Sequence, residues 1–221
     1  MIALKRKTTI ASLAFLVIAS LHIVGILFNL KLAFISKPFI ITSLVVVYLL
    51  SVKKANFWFV SALFFSFWGD VLLLFKEQFF VFGLASFLLA HVLYIKITIA
   101  FFKKISLQKI AIACLPFAVF LFLFLNLIKE NLGEFKIPVI VYGVVISVFG
   151  VVSLLNYMHQ KRTANTWLLL GTILFILSDS LIAINKFYSP KEYYQLCIML
   201  TYIVAQYLIC KAMIAKDDFQ Q

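Results

Sequence analysis

The chain has 221 residues, of which 65% are hydrophobic and only 13% charged, about half the charged share of an ordinary soluble domain. Its 20 Lys and Arg against 8 Asp and Glu leave a net charge of +12. The composition excludes a soluble globular enzyme, and the scatter of the basic residues in short clusters between apolar runs excludes a nucleic-acid footprint.

The first basic cluster, Lys5-Arg6-Lys7, precedes an apolar run in the manner of a signal peptide. That run continues to about Phe28, longer than a signal's apolar core, so it reads as a spanning helix. Eight apolar segments follow one another at roughly 8–29, 35–52, 57–75, 79–102, 108–128, 135–158, 166–185 and 193–214. A crossing needs about 20 apolar residues, and backbone groups in lipid must bond within their own segment, so each is expected to be a helix. The expected fold is all-α: one polytopic membrane domain over residues 1–221 with eight transmembrane helices. Cys114, Cys197 and Cys210 are odd in number, lie in apolar runs and form no CxxC pair, so they read as core residues.

The links sort by charge. Lys5, Arg6, Lys7, Lys53, Lys54, Lys103, Lys104, Lys109, Lys161, Arg162, Lys211 and Lys216 share a side with the termini. Lys31, Lys76, Lys129, Lys136, Lys186 and Lys191 lie opposite, together with Glu77, Glu130, Glu134 and Glu192. The positive-inside rule then places both termini in the cytoplasm, and the expected location is the cell (inner) membrane of a bacterium. A weak repeat also runs through the sequence. Lys37-Pro38 and Lys136-Ile137-Pro138 open segments 2 and 6, Gly69-Asp70 and Ser178-Asp179 lie late in segments 3 and 7, and Ala90-His91 and Ala205-Gln206 lie in segments 4 and 8. Two parallel four-helix halves, 1–104 and 105–221, would produce this pattern.

Six of the eight acidic residues fall in links or the tail; only Asp70, in FWGDVLLLF, and Asp179, in FILSDSLIAI, are embedded in apolar sequence. An ionised Asp at mid-membrane costs about 2.5–3.5 kcal/mol on the insertion scale, so each requires a partner or a polar cavity. Each sits five or six residues before the outer end of its predicted helix. Lys37, Tyr142, His22 and Asn29, which caps the outer end of segment 1, fall near the same level, with His91, Tyr94, Tyr202 and Gln206 deeper. At 1.5 Å per residue most of these groups occupy one layer about 10–15 Å thick, which implies a shared cavity. His91 and Tyr94 lie three residues apart and share a helix face. Several of these side chains have a plain structural alternative: Gln206 as interhelical glue, the tyrosines as packing, Lys37 and Lys186 as snorkelling lysines. The aspartates themselves could be structural carboxylates bonded to a Lys or a hydroxyl. No HxxxH, nucleophile elbow or glycine-rich phosphate loop occurs, so no metal or cofactor is expected and carboxylate acid–base chemistry is the residual option.

Taken in order, SKPF, FWGDVLLLF, FGLASFLLAHVLY, the Tyr142-Gly143 segment, GTILFILSDSLIAINKF and LTYIVAQYLI resemble the YhhN/TMEM86 family, the lysoplasmalogenases, over about residues 36–210. The resemblance implies an eight-helix membrane enzyme that hydrolyses the vinyl ether bond of lysoplasmalogens, with a lysophospholipid substrate and membrane lipids as its partners. The products would be a fatty aldehyde and glycerophosphoethanolamine or glycerophosphocholine. The family's motif positions fall on Lys37, Asp70, His91, Tyr94, Tyr142, Ser178, Asp179, Lys186, Tyr202 and Gln206. Segment 6 departs from it, carrying an aliphatic, Phe-containing stretch where family members often have Met. Vinyl ether hydrolysis begins with protonation of an alkene carbon to an oxocarbenium ion, for which one carboxylic acid and one carboxylate suffice. Asp70 and Asp179 would divide those roles, and Lys37 and Lys186 would hold the phosphate. The competing class is a transporter or lipid-binding protein that uses the Asp pair as a proton or cation site.

Overall fold

Short polar residues start several of the helices. The Asn29 side chain accepts from the N–H groups of Lys31 (3.1 Å) and Leu32 (3.3 Å), Asn56 accepts from Phe59 N (3.1 Å) and Ser106 from Lys109 N (3.4 Å), each relieving amides that have no partner in a helix's first turn. The structure, a computed structural model, describes residues 2–102 and 105–219, without the side chains of residues 2–6, 218 and 219. Lys103 and Lys104, and the side chains of Lys5, Arg6 and Asp218, therefore lie outside the described residues.

The described chain is all-helical: α1 (Ile2–Phe28), α2 (Leu30–Ser51), α3 (Phe57–Leu72), α4 (Lys76–Ile99), α5 (Leu107–Ile128), α6 (Lys136–His159), α7 (Thr163–Phe187) and α8 (Tyr193–Phe219). Short 3-10 turns lie at Leu73–Phe75, Lys129–Asn131 and Gly133–Phe135. Among the described residues seven stretches are long and apolar enough to cross a membrane; the third, Phe57–Ile99, has 43 residues and holds both α3 and α4. These two fold back on one another as an antiparallel hairpin, with the Lys96 ammonium 3.1 Å from the centre of the Trp58 ring and the Phe59 and Tyr94 rings 6.0 Å apart.

The bundle is apolar outside, and its largely apolar interior also holds its embedded polar side chains. Phe28, Leu30, Leu107 and Ile137 are exposed, and α5 buries only Ala113 and Ile128. Asp70, His91 and Gln206 are 0–2% exposed. Water would not tolerate so large an apolar surface, whereas lipid does. The chain is an integral membrane protein.

The turns gather at two ends. At the terminal end Thr8 donates to Leu50 O (3.2 Å), Lys53 N donates to Asp217 (3.3 Å) and the Lys216 ammonium lies 3.7 Å from the centre of the Phe101 ring. At the distal end Asn29, Leu73, Lys76, Asn185, Lys191 and Gln195 line one open cavity.

Several boundaries differ from those predicted. Asn29 caps the start of α2 rather than the end of α1, so the expected link over 30–34 is helical. Lys37 then lies two turns inside α2, and Pro38 lies within that helix rather than opening it. The third segment stops at Leu72, where the 3-10 turn takes over, and a non-helical Phe79 (φ −118°, ψ 20°) kinks α4 near the expected start of the fourth. Asp70 thus lies two residues from the end of α3 and Asp179 eight from the end of α7, so the equal distances expected from the sequence are not found.

The α1–α2 hairpin is close enough that a Cβ on Gly25 would lie 2.5 Å from Ala33 N. Backbone cannot yield as a flexible side chain can, so Gly25→Val should splay the pair and cost about 1–3 kcal/mol. A thermal melt of the purified variant in detergent checks this; an unchanged midpoint would contradict it.

Candidate functional site

Asp70 reaches the interior because Gly69 lets α3 press against α4: a Cβ there would lie 2.6 Å from the Phe87 ring. The Asp70 carboxylate accepts from the Tyr202 hydroxyl on α8 (2.8 Å), and the Lys37 ammonium on α2 stands 3.9 Å away. Behind Tyr202 the chain of bonds continues. Gln206 Nε2 donates to the Tyr202 hydroxyl (3.3 Å), and the Tyr94 hydroxyl donates to Gln206 Oε1 (3.0 Å). Five of the residues singled out in the sequence therefore form one connected, buried path across α2, α3, α4 and α8.

Asp179 anchors a second group. It accepts a hydrogen bond from the Tyr142 hydroxyl on α6, and His91 Nε2 on α4 lies 3.9 Å from the same oxygen. Because that hydroxyl gives its proton to the carboxylate, it can only accept from His91, which makes Nδ1 (3.4 Å) the protonated ring nitrogen. His91 Nε2 is then an acceptor, buried and without a hydrogen-bond partner. The Phe175 ring stands between the two groups, its centre 4.6 Å from that of His91 and 5.4 Å from that of Tyr202.

Two cavities adjoin, and Asp179 lines the first. One is apolar, walled by Leu84 and Phe87 of α4, Phe120 and Phe124 of α5, Val139 of α6 and Ile176 of α7, with Tyr142 and Asp179 at its side. The other, of about 280 Å³, is lined by Lys37, Lys76, Glu77, Asn185, Lys186 and Gln195. Leu73, Phe80 and Ile182 border both. Asp179 thus opens on the apolar space, while Lys37 joins Asp70 to the polar one.

Four residues singled out in the sequence join neither carboxyl group. Ser178 donates to Ile198 O (3.0 Å), clamping α7 to α8, because a one-residue step turns it about 100° from Asp179. His22 is tied by Nδ1 to Ala33 O and the Ser36 hydroxyl, both at 3.0 Å, in the α1–α2 interface. Asn29 caps α2 at the mouth of the distal cavity. Lys186 faces three phenylalanine rings, the nearest 4.4 Å away, instead of either carboxyl. Conversely, Lys76, Asn185 and Gln195 belong to the polar lining and were not singled out. In the sequence Lys76 is one link charge among several, and nothing in the spacing of the other two marks them.

The profile of the YhhN family matches residues 32–213. The chain is 34% identical over 160 residues to proteins named lysoplasmalogenase from Mycobacterium bovis and Mycobacterium tuberculosis, covering 69% of this chain and 58% of each relative. It is 33% identical over 157 residues to lysoplasmalogenase TMEM86A of Bos taurus, covering 68% of this chain and 62% of that protein. The chain spans about three fifths of the length of these curated relatives. No solved structure matches it. With the profile spanning most of its length and the paired Asp groups lying within the matched region, the chain belongs to the YhhN family.

Proposed function

We propose that the protein is an intramembrane hydrolase that cleaves the vinyl ether bond of lysoplasmalogens, releasing a fatty aldehyde and a glycerophospho-headgroup. The observation that carries this reading is an apolar cavity lined by Asp179 that adjoins a lysine-lined one, whose Lys37 pairs with the buried Asp70: a space shaped for an amphiphile with its reactive bond near the headgroup. The names of the relatives point the same way.

Asp179 suits the proton donor. It opens on the cavity that would take the alkenyl chain, no Lys or Arg among the described residues pairs with it, and the acceptor nitrogen of His91 faces it. Its proton goes to the alkene carbon β to the ether oxygen, leaving an oxocarbenium ion. Asp70, with the Lys37 ammonium and the Tyr202 hydroxyl beside it, acts as the carboxylate that stabilises that cation and takes a proton from the water that adds to it. The resulting hemiacetal collapses to aldehyde and alcohol. Lys37, Lys76 and Lys186 hold the phosphate by charge-assisted bonds.

In this reading the α3–α4 hairpin makes two crossings, so the helices cross the bilayer eight times, with both termini in the cytoplasm of a bacterial cell and the site toward the outer face. The bracing of the aspartates supports two parallel halves. Asp70 is held by α2 of its own half and α8 of the other, Asp179 by α6 of its own half and α4 of the other.

The test is aldehyde release from a lysoplasmalogen by the purified protein. Substrate-driven proton or cation flux in liposomes, without aldehyde, would favour the transporter reading instead. Tyr142→Phe should retain the fold and lower kcat roughly ten- to a hundredfold, since a hydrogen bond to a charged group is worth about 1.5–3 kcal/mol. Steady-state kinetics on the variant check this, and an unchanged kcat would remove Tyr142 from the mechanism.

A further inference from the structure

The apolar cavity is built like a trough. Gly143 and Ile146 of α6 form its floor, Leu84 and Phe87 of α4 one side, and Phe120 and Phe124 of α5 the other. α4 and α5 both pack on α6 but make no comparable contact with each other, so the space above the floor faces the bilayer between them. The rim is loose on both sides. Leu84 is only half-buried, and so are Phe120 and Phe124, whose rings stack with centres 5.6 Å apart. α5 is seated on α6 by its inner face alone: a Cβ on Gly143 would lie 2.8 Å from Leu121, and one on Gly150 would strike Phe117. Between Ala113 and Ile128 it buries nothing completely. The Asp179 side chain, at the trough's side, keeps 8% exposure against 3% for Asp70.

The trough is also small, at about 50 Å³. One water-sized group needs about 10–15 Å³, so the space encloses about four such groups, and a methylene is of similar size. A fatty chain has several times as many carbons. Enclosing the remainder would gain nothing, because lipid is as apolar as the cavity wall.

We infer that the gap between α4 and α5 is a lateral portal for the substrate's hydrocarbon chain. The chain enters from the bilayer, the carbons next to the ether lie against Asp179, and the rest stays in lipid. The protein therefore reads the chain near the ether and is indifferent to its length, and the aldehyde leaves by the same gap. This rests on the lysophospholipid reading above for the identity of the amphiphile.

The experiment maps where the chain lies. The purified full-length protein in nanodiscs is irradiated with a saturated 1-alkyl lysophosphoethanolamine, which lacks the cleavable double bond and carries a diazirine either beside the ether or at the far end of the chain. Labelling that excess unmodified lipid competes away is located by peptide mass spectrometry. The near diazirine should label the trough on α6 and α7, and the far one nanodisc lipid and the lipid-facing flanks of α4 and α5. Leu84→Trp, which fills the gap, should cut near labelling about tenfold, as overfilling a packed space does. Leu89→Trp, on the 46% exposed lipid face of the same helix, should leave it unchanged. Far label inside the trough, no competed label, or undiminished near labelling of a folded Leu84→Trp would overturn the inference; the far label alone decides it if that variant fails to fold. The expected pattern in a protein that releases no aldehyde would keep the portal and defeat the hydrolase, and aldehyde release with the far label inside the trough would do the reverse.

Discussion

Asp179→Asn should lower aldehyde release at least a hundredfold in a protein that still folds. A positioned general acid contributes about 10²–10⁴-fold, and Asn supplies no proton of comparable acidity. The exchange is nearly isosteric, and the Asn carbonyl can still accept from Tyr142, so the packing around Phe175 and His91 has no reason to change. Turnover per folded molecule, with folding read from the elution profile and thermal midpoint in detergent, is the measurement. Activity within tenfold of wild type would remove Asp179 as the acid.

Asp70 should behave differently, because its replacement damages stability as well as chemistry. Asp70→Asn leaves the 7% exposed Lys37 without its carboxylate. Removing one partner of a buried ion pair typically costs about 3–5 kcal/mol. The low end, about 3 kcal/mol, is expected here, since Lys37 borders the polar cavity and stands 3.9 Å from Asp70. Lys37→Met should cost a similar amount, and the double variant should recover much of the loss while remaining inactive. A double-mutant cycle on thermal or denaturant unfolding reads the coupling. Additive losses would show that the two residues do not act as a pair.

Much of this was legible in the sequence because charge in lipid is so costly. Asp70 and Asp179 stood out by being embedded in apolar runs, and Tyr142, Tyr202, Tyr94, His91, Gln206 and Lys37 by depth; these eight come together in two groups. What the sequence hid is direction. Ser178 sits beside Asp179 in the chain but a third of a helical turn away in space, and bonds to α8. Lys186 lies at the expected end of α7, but which way a long side chain folds depends on rings brought in from α4 and the turn before α6. The break at Leu73–Phe75 has no Gly or Pro to announce it, so α3 was drawn too long. Asn29 was a visible polar residue whose cap could serve either neighbouring helix, and it serves the second.

Where the water's oxygen ends distinguishes the proposed chemistry from displacement at the glycerol carbon, which would release an enol and give the same products. Hydrolysis of a lysoplasmalogen by the purified protein in H₂¹⁸O should leave the freed hydroxyl of the glycerophospho product unlabelled, because water adds to the former vinyl carbon and the glycerol carbon–oxygen bond is never broken. Label in that hydroxyl, or no aldehyde at all, would contradict it.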